Sequence, residues 1–528
     1  VRGTAWEVNR NRQLNAVGFF KPSSGVKPQF DRNQFGFVFG GPIVRNQTFF
    51  FTNYEGFRQT RRELLFASIP TEAQRAGNLG KAIRNPLTGE LYANGVVPAS
   101  AITPFAKSVL AGLPSPTRAG IANNFDSLPE RTDSSNKFDV KVDHTFSSRM
   151  TAFARVSHRK QDNFEPPSIP GPTGSPSNAF VHILNDQVAG GLTYMPGESS
   201  LFEFRLGWSR TKAGKEPPGV GGPTMFDLYG ITGLPTDPRF AGGLTEQGVS
   251  GWTTWGRQNS NPQFQDPTVF NPRVNFSWVR GRQSFKTGYE YQAINTEIDD
   301  FNPKYGRDTY SGQFSRPAGA ASDAATYNLA DFMFGARSGY GIITPFLANL
   351  RQRMHFGYLQ DDIKVTPTVT LNAGLRYEYA TPQYEKDNFL TNFDPATNTL
   401  IQAKDGSIYD RALVNPDRNN FAPRLGLAWA ADSKTVFRAG YGISYIHFNR
   451  LGGENLLSFN GPHIVGLNIS QQATQPRCVG NQAPTTCFRT TQQGYPEGFT
   501  TPASFNPQNV RVNHIPKDTP TGNVQSWH

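Results

Sequence analysis

Charged side chains stand at alternate positions along several stretches of this 528-residue chain: Glu203 and Arg205, Lys286 and Glu290, Arg376 and Glu378, and Arg438. Residues two apart share one face of an extended strand, because successive side chains point to opposite sides. Acids and bases interleaved in this way can line a wet wall, pairing with one another or contacting a dissolved solute. They do not make a catalytic set. The sequence holds no Walker loop, no G-x-S-x-G elbow, no HExxH and no placed Ser/His/Asp set. Its eight histidines are scattered, with His158, His355 and His447 inside alternating stretches. The chain is not expected to be an enzyme or to hold a cofactor.

Two other groups of residues carry potential chemistry. Trp252, Trp255 and Phe264 lie in a long irregular stretch, where they would either stack on a sugar or aromatic solute or pack their own loop. Cys478 and Cys487 sit in a polar Pro/Gln/Thr-rich stretch without metal-binding spacing. A local disulfide is expected, in keeping with an oxidising periplasm or cell exterior; two free thiols are the alternative.

The elements that hold the charges are amphipathic strands. In Val369–Tyr379, VTLNAGLRYEY, the residues Val369, Leu371, Ala373, Leu375, Tyr377 and Tyr379 share one face, and Asn372, Gly374, Arg376 and Glu378 the other. About 9–11 tilted residues of this kind span a bilayer. The design recurs: Phe285, Tyr289 and Tyr291 alternate with Lys286 and Glu290; Phe437, Tyr441, Ile443 and Tyr445 with Arg438; Phe202, Phe204, Leu206 and Trp208 with Glu203 and Arg205; Phe270, Val274, Phe276 and Trp278 with Arg273 and Asn275. This weak signal per strand, strong in sum, is that of an all-β, antiparallel transmembrane β-barrel. On its apolar side Trp208, Trp278, Tyr289, Tyr291, Tyr377, Tyr379 and Tyr445 fit an aromatic girdle at headgroup level, against core packing in a soluble sandwich.

Composition agrees. Hydrophobic residues are 37% of the chain and mean hydropathy is −0.51, and no apolar run is long enough for a spanning helix, but a barrel strand needs only half its residues apolar. The 41 phenylalanines and 18 tyrosines argue against disorder. The net charge of +11 is dispersed; its densest group, Arg58, Arg61 and Arg62, lies beside Glu55 and Glu63, which points to a solvated or headgroup-facing patch rather than nucleic acid.

Hairpin signals separate the segments at Ser147-Ser148, Pro196-Gly197-Glu198, Gly281, Pro367 and Asp432-Ser433. Between hairpins lie long stretches rich in Gly, Pro, Asn and Ser, roughly Lys160–Val181, Thr211–Pro267, Asp299–Leu350, Thr381–Asn420 and Asn449–Asn523. Short and long connections alternate, which puts tight turns at one end of a meander and loops at the other, as outer-membrane barrels do. We expect one domain of about 13 to 15 strands, including Arg2–Asn9, Asn33–Gly40 and Thr48–Arg58, with both ends truncated and any export signal upstream of Val1. An unpaired edge is intolerable in lipid, so more strands are expected after Trp527.

The segment NQFGFVFGGPIVRNQTFFFTNYEGFRQ, Asn33 to Gln59, resembles the barrel opening of Oar-like TonB-dependent transporters. Lys137–Ser157, Tyr358–Pro382 and Phe421–Tyr445 are similar to further hairpins of that family, in order. The resemblance implies a barrel of about 22 strands plugged by an N-terminal domain, in the Gram-negative outer membrane. It also implies partners: the TonB-ExbB-ExbD energy-coupling system, lipid and lipopolysaccharide, and a large scarce solute such as an oligosaccharide, siderophore or peptide. The plug and TonB box are absent from this stretch. A passive porin and a β-rich adhesin or polysaccharide-binding protein are the alternatives.

Overall fold

The computed structural model describes residues 1–447, 456–482, 485–498, 500, 503, 505–506 and 512–528. Parts of the last long stretch expected from the sequence, 448–455 among them, lie outside the described residues.

Alternating side chains produce one large antiparallel sheet. Its strands, in order along both chain and sheet, are β1 (Arg2–Asn11), β2 (Phe30–Val44), β3 (Thr48–Arg62), β4 (Glu130–Ser147), β5 (Met150–Glu165), β6 (Ala179–Gly197), β7 (Ser200–Glu216), β8 (Gln263–Arg280), β9 (Gln283–Asp299), β10 (Ala348–Lys364), β11 (Val369–Ala380), β12 (Phe421–Ala430), β13 (Val436–Ile446) and β14 (Gly522–Trp527). With the short strand Tyr384–Glu385 on β10, the sheet has 15 strands among the described residues. Each strand of the meander pairs with its sequence neighbours, so connections alternate between turns such as 148–149, 198–199 and 281–282 and long excursions such as 63–129, 217–262 and 300–347.

Register keeps the two faces distinct across the sheet. Leu375 lies opposite Leu359, and Arg376 opposite Tyr358. On the outer face Leu375 is 48% and Tyr289 46% exposed, and Phe204, Leu206, Phe270, Leu425 and Trp429 are exposed too, while Ile443 is half-buried. Among the described residues no second protein layer covers Leu375 or Tyr289. A continuous apolar field of this extent needs a non-aqueous neighbour.

The strands are longer than the expected segments. β4 to β9 run well past the residues needed to span a bilayer, and their upper ends carry charge on the outer face too: Lys160, Asp162, His182, Asp186, Arg210 and Lys212. Solvent on both sides removes the reason for an apolar face, so these ends lack the alternation that marks the lower halves.

The long excursions form a cap with its own core. The helix Pro104–Ala111 starts at Thr103, whose side chain accepts from the backbone N–H of Ala106, and it buries Phe105, Ala106, Val109 and Leu110. These pack with Trp255, Phe332, Met333 and Phe334. Stretch 63–129 is thus a cap segment that the loop pattern missed, because its apolar residues do not read as a polar loop. Strands Glu246–Val249, Arg307–Tyr310, Gly339–Ile343 and Gly466–Ser470 add a four-stranded sheet to the cap.

The faces predict unequal tolerance of charge. Leu375→Arg is expected to cost about 2–4 kcal/mol near the bilayer midplane, measured by reversible urea unfolding in lipid vesicles; a change under about 0.5 kcal/mol would mean that Leu375 does not face hydrocarbon.

Candidate functional site

β-Strand parity carries every expected inner-face charge to one surface, and pairing holds them there. Arg205 bonds Glu203 at 3.1 Å on its own strand, and its guanidinium lies 5.2 Å from the ring centroid of Phe153. Lys286 reaches Asp362 across the β9–β10 pair at 3.2 Å. Glu290 accepts from Asn271 Nδ2 at 2.9 Å and from Gln292 Nε2 at 3.3 Å. Arg376 Nε donates to Glu378 at 2.8 Å, and His447 Nε2 contacts the other carboxylate oxygen at 2.8 Å. Arg438 is exposed on the same face of β13. Neighbouring strands continue the pattern with Lys137–Glu55 at 2.6 Å and Arg155–Asp139 at 2.6 Å. Asp362 was not singled out in the sequence, although parity on β10 points to it; His447 was read from the sequence as an in-strand girdle or lumen residue, and it follows directly after the end of β13.

The upper inner face changes character. Ile294, Ile298, Ala348, Leu350, Met354 and Phe356 are all inner-face positions of β9 and β10, and all are buried. Leu350 and Ile298 pack with Leu390, Leu413 and Ile464 of the cap loops. The cap therefore rests on the inner side of the wall rather than beside it. Below this seat the rings of Phe356 and His447 lie 5.4 Å apart, next to the Arg376–Glu378 pair.

The outer aromatic residues fall at two levels. Trp278 stacks on Phe285 at 6.0 Å close to the turn end. Toward the loop end Tyr291 and Tyr379 flank His355 at 5.1 and 6.0 Å, Tyr289 Oη lies 2.6 Å from His355 Nδ1, Tyr377 meets Phe421 at 5.0 Å, and Tyr445 donates to the Phe421 carbonyl. Trp208 sits opposite Phe270. Phe285 and Tyr291 are six residues apart on β9, about 20 Å along the strand, comparable with an apolar band of about 25 Å.

The loop aromatic residues divide. Trp255 is fully buried against Phe332 at 4.9 Å, and Trp252 is 7% exposed with its indole N–H donating to the Ala325 carbonyl. Both belong to the cap core, where apolar contact rather than solute occupies their rings. Phe264 is exposed on the outer face of β8, near Lys212 and Asp266. Cys478 and Cys487 form a disulfide.

Two buried ionisable sites lock the cap. Arg337 Nη1 bonds Asp308 at 2.7 Å, both about fully buried; Gln247 and Tyr495 also donate to Asp308, and Arg337 reaches the carbonyls of Arg489 and Gly494. Every part of this pair has a partner from a different cap segment. Asp331 receives donors from Ser315 and the Phe314 backbone but, among the described residues, no cation, and burial pushes its carboxyl up to about 7 in spite of those bonds.

An antiparallel wall with one lipid-type face, one charged face and a folded cap over the latter defines a transmembrane β-barrel protein. The family model described as outer membrane beta barrel domain matches residues 1–528, and the chain belongs to that family, as a protein of the Gram-negative outer membrane. No curated protein matches it. Among solved structures, the outer membrane transporter YddB from Escherichia coli has TM-score 0.41 and 11% identity over 82% of this chain and 39% of its own. The ferric enterobactin receptor PfeA from Pseudomonas aeruginosa has TM-score 0.37 and 11% identity over 84% and 43%. The siderophore receptor PirA from Acinetobacter baumannii has 0.38 and 10% over 84% and 43%. The chain thus spans about two-fifths of the length of these structures.

Asp331 sets a pH dependence for the cap. Its folded value lies above the unfolded 3.8, so the fold binds a proton that the unfolded chain has released between about pH 4 and 7. Cap stability is expected to fall across that window and level off above it, and Asp331→Asn should flatten the slope, measured by limited proteolysis of the cap from pH 4.5 to 8. An unchanged slope in the variant would remove Asp331 as the cause. Arg337→Leu leaves Asp308 buried without its cation and should destabilise the cap by about 3–5 kcal/mol, read by the same assay; wild-type resistance would contradict a structural role for the pair.

Proposed function

We propose that this chain is the barrel domain of an Oar-like TonB-dependent transporter, which takes up a large, scarce solute. The observation that carries the reading is the folded cap seated on inner-face residues Ile298 and Leu350, over a wall whose charges are largely paired. A passive pore needs a standing aqueous passage; a cap with its own apolar core over the inner face suits a gated one.

In this proposal Glu203, Arg205, Lys286, Glu290, Arg376, Glu378 and Arg438 line the lumen. Glu203 with Arg205, Arg376 with Glu378 and Lys286 with Asp362 keep most of the wall wet without binding solute strongly, which favours passage over retention, while Arg438 stands exposed on the same face. Trp208, Trp278, Tyr289, Tyr291, Tyr377, Tyr379 and Tyr445 anchor the wall at the two headgroup levels. Phe264 contacts a solute or the lipopolysaccharide layer. An upstream plug fills the lumen, and the TonB-ExbB-ExbD system displaces it.

Uptake is the test. Radiolabelled candidate solutes offered to cells producing the full-length protein should accumulate above background only when the TonB system is intact. Steady ion conductance of the full-length protein in planar bilayers without TonB would instead establish a passive channel.

A further inference from the structure

We infer that a chamber between the upper wall and the cap binds an apolar, hydroxyl-bearing portion of the transported solute; this deepens the transport reading above and rests on it. The chamber has a volume of about 390 Å³, within the range of small-molecule sites. Its floor is the inner face of the wall at Gln352, Ala380 and Ile446, and its sides come from Val414, Ile515 and Pro520 of the loops.

Three observations fix the chemistry. First, Ile446 is 61% exposed on a face that elsewhere carries charges, so the floor offers a large apolar side chain without cover. Second, the polar side chains of the lining are engaged with the protein itself: Asp417 accepts from the Thr521 backbone at 2.7 Å, Asn415 donates to Asp518 at 2.7 Å, Thr519 donates to the Pro516 carbonyl at 2.8 Å, and Gln352 donates to the Thr381 carbonyl at 3.0 Å. A saccharide needs many free partners and an aromatic platform, yet among the described residues the lining holds no Trp, Tyr or Phe, and Trp252 and Trp255 are spent in the cap core. Third, His447 edges the chamber with Nε2 committed to Glu378 at 2.8 Å. Nδ1 is then the ring nitrogen left for a solute, and a hydroxyl, which both donates and accepts, can partner it. The exposed isoleucine and the histidine together select an apolar body with one O–H.

Binding to the full-length protein in lipid nanodiscs, with empty nanodiscs subtracted, tests this with 2-naphthol, naphthalene and maltotetraose as probes. Saturable 2-naphthol fluorescence is expected, tighter than naphthalene and undisturbed by maltotetraose. Ala380→Phe, which fills the floor, and Ile446→Asn, which makes an already exposed position polar, should each weaken 2-naphthol by about tenfold. His447→Phe should erase its advantage over naphthalene. Unaltered 2-naphthol affinity in both floor variants, or maltotetraose binding that Ile446→Asn alters, would overturn the inference. Either result leaves TonB-dependent uptake untouched, so the two readings fail separately.

Discussion

Backbone N–H and C=O groups that face hydrocarbon have no water to bond, and each one left unpaired costs several kcal/mol. This constraint organises the whole wall. Each strand from β2 to β13 is bonded on both sides by its sequence neighbours, and the register holds from Arg2 opposite Gly40 through Ile446 opposite Gly522. Once backbone pairing is fixed, side-chain parity follows without further cost. Leu375 and Tyr289 go out, Arg376 and Lys286 go in, and a one-residue slip in any strand would exchange them.

The same chain solves a second solvent problem above the membrane. Where the outer surroundings turn aqueous, the outer face acquires Lys160, Asp162, Asp186 and Lys212, and the long excursions behave as a water-soluble domain. Their core is built from Phe105, Trp255, Phe332 and Phe334, and their specificity from groups such as Asp308 and Arg337, which are costly to bury and rewarded only when every partner is in place. The cap meets the wall through Ile298 and Leu350. This apolar seat holds the cap on the wall, where the charged lower wall offers no such contact.

Sequence legibility followed these physical divisions. The hairpins around Ser148, Gly281 and Pro367 and the two faces of Val369–Tyr379 were readable because period-two alternation is enforced wherever one face is oily and the other wet. The upper ends of β4 to β9 were not, because water on both sides enforces no pattern. Trp252 and Trp255 were legible as aromatic loop residues but not as core, since Ala325 and the helix Leu329–Phe334, which meet them, arrive from a distant stretch. The Glu378–His447 contact likewise joins residues far apart in sequence and has no local signature.

The central claim is that one face of each strand meets lipid and the other meets water. Spin labels placed singly from Leu371 to Tyr379 in the full-length protein, in bilayers, measure it directly through collision with oxygen and with a water-soluble nickel chelate. The account predicts oxygen maxima at Leu371, Ala373, Leu375 and Tyr377 and nickel maxima at Asn372, Gly374 and Arg376, with a two-residue period. Equal accessibility along the segment, or nickel maxima at Leu375, would contradict it.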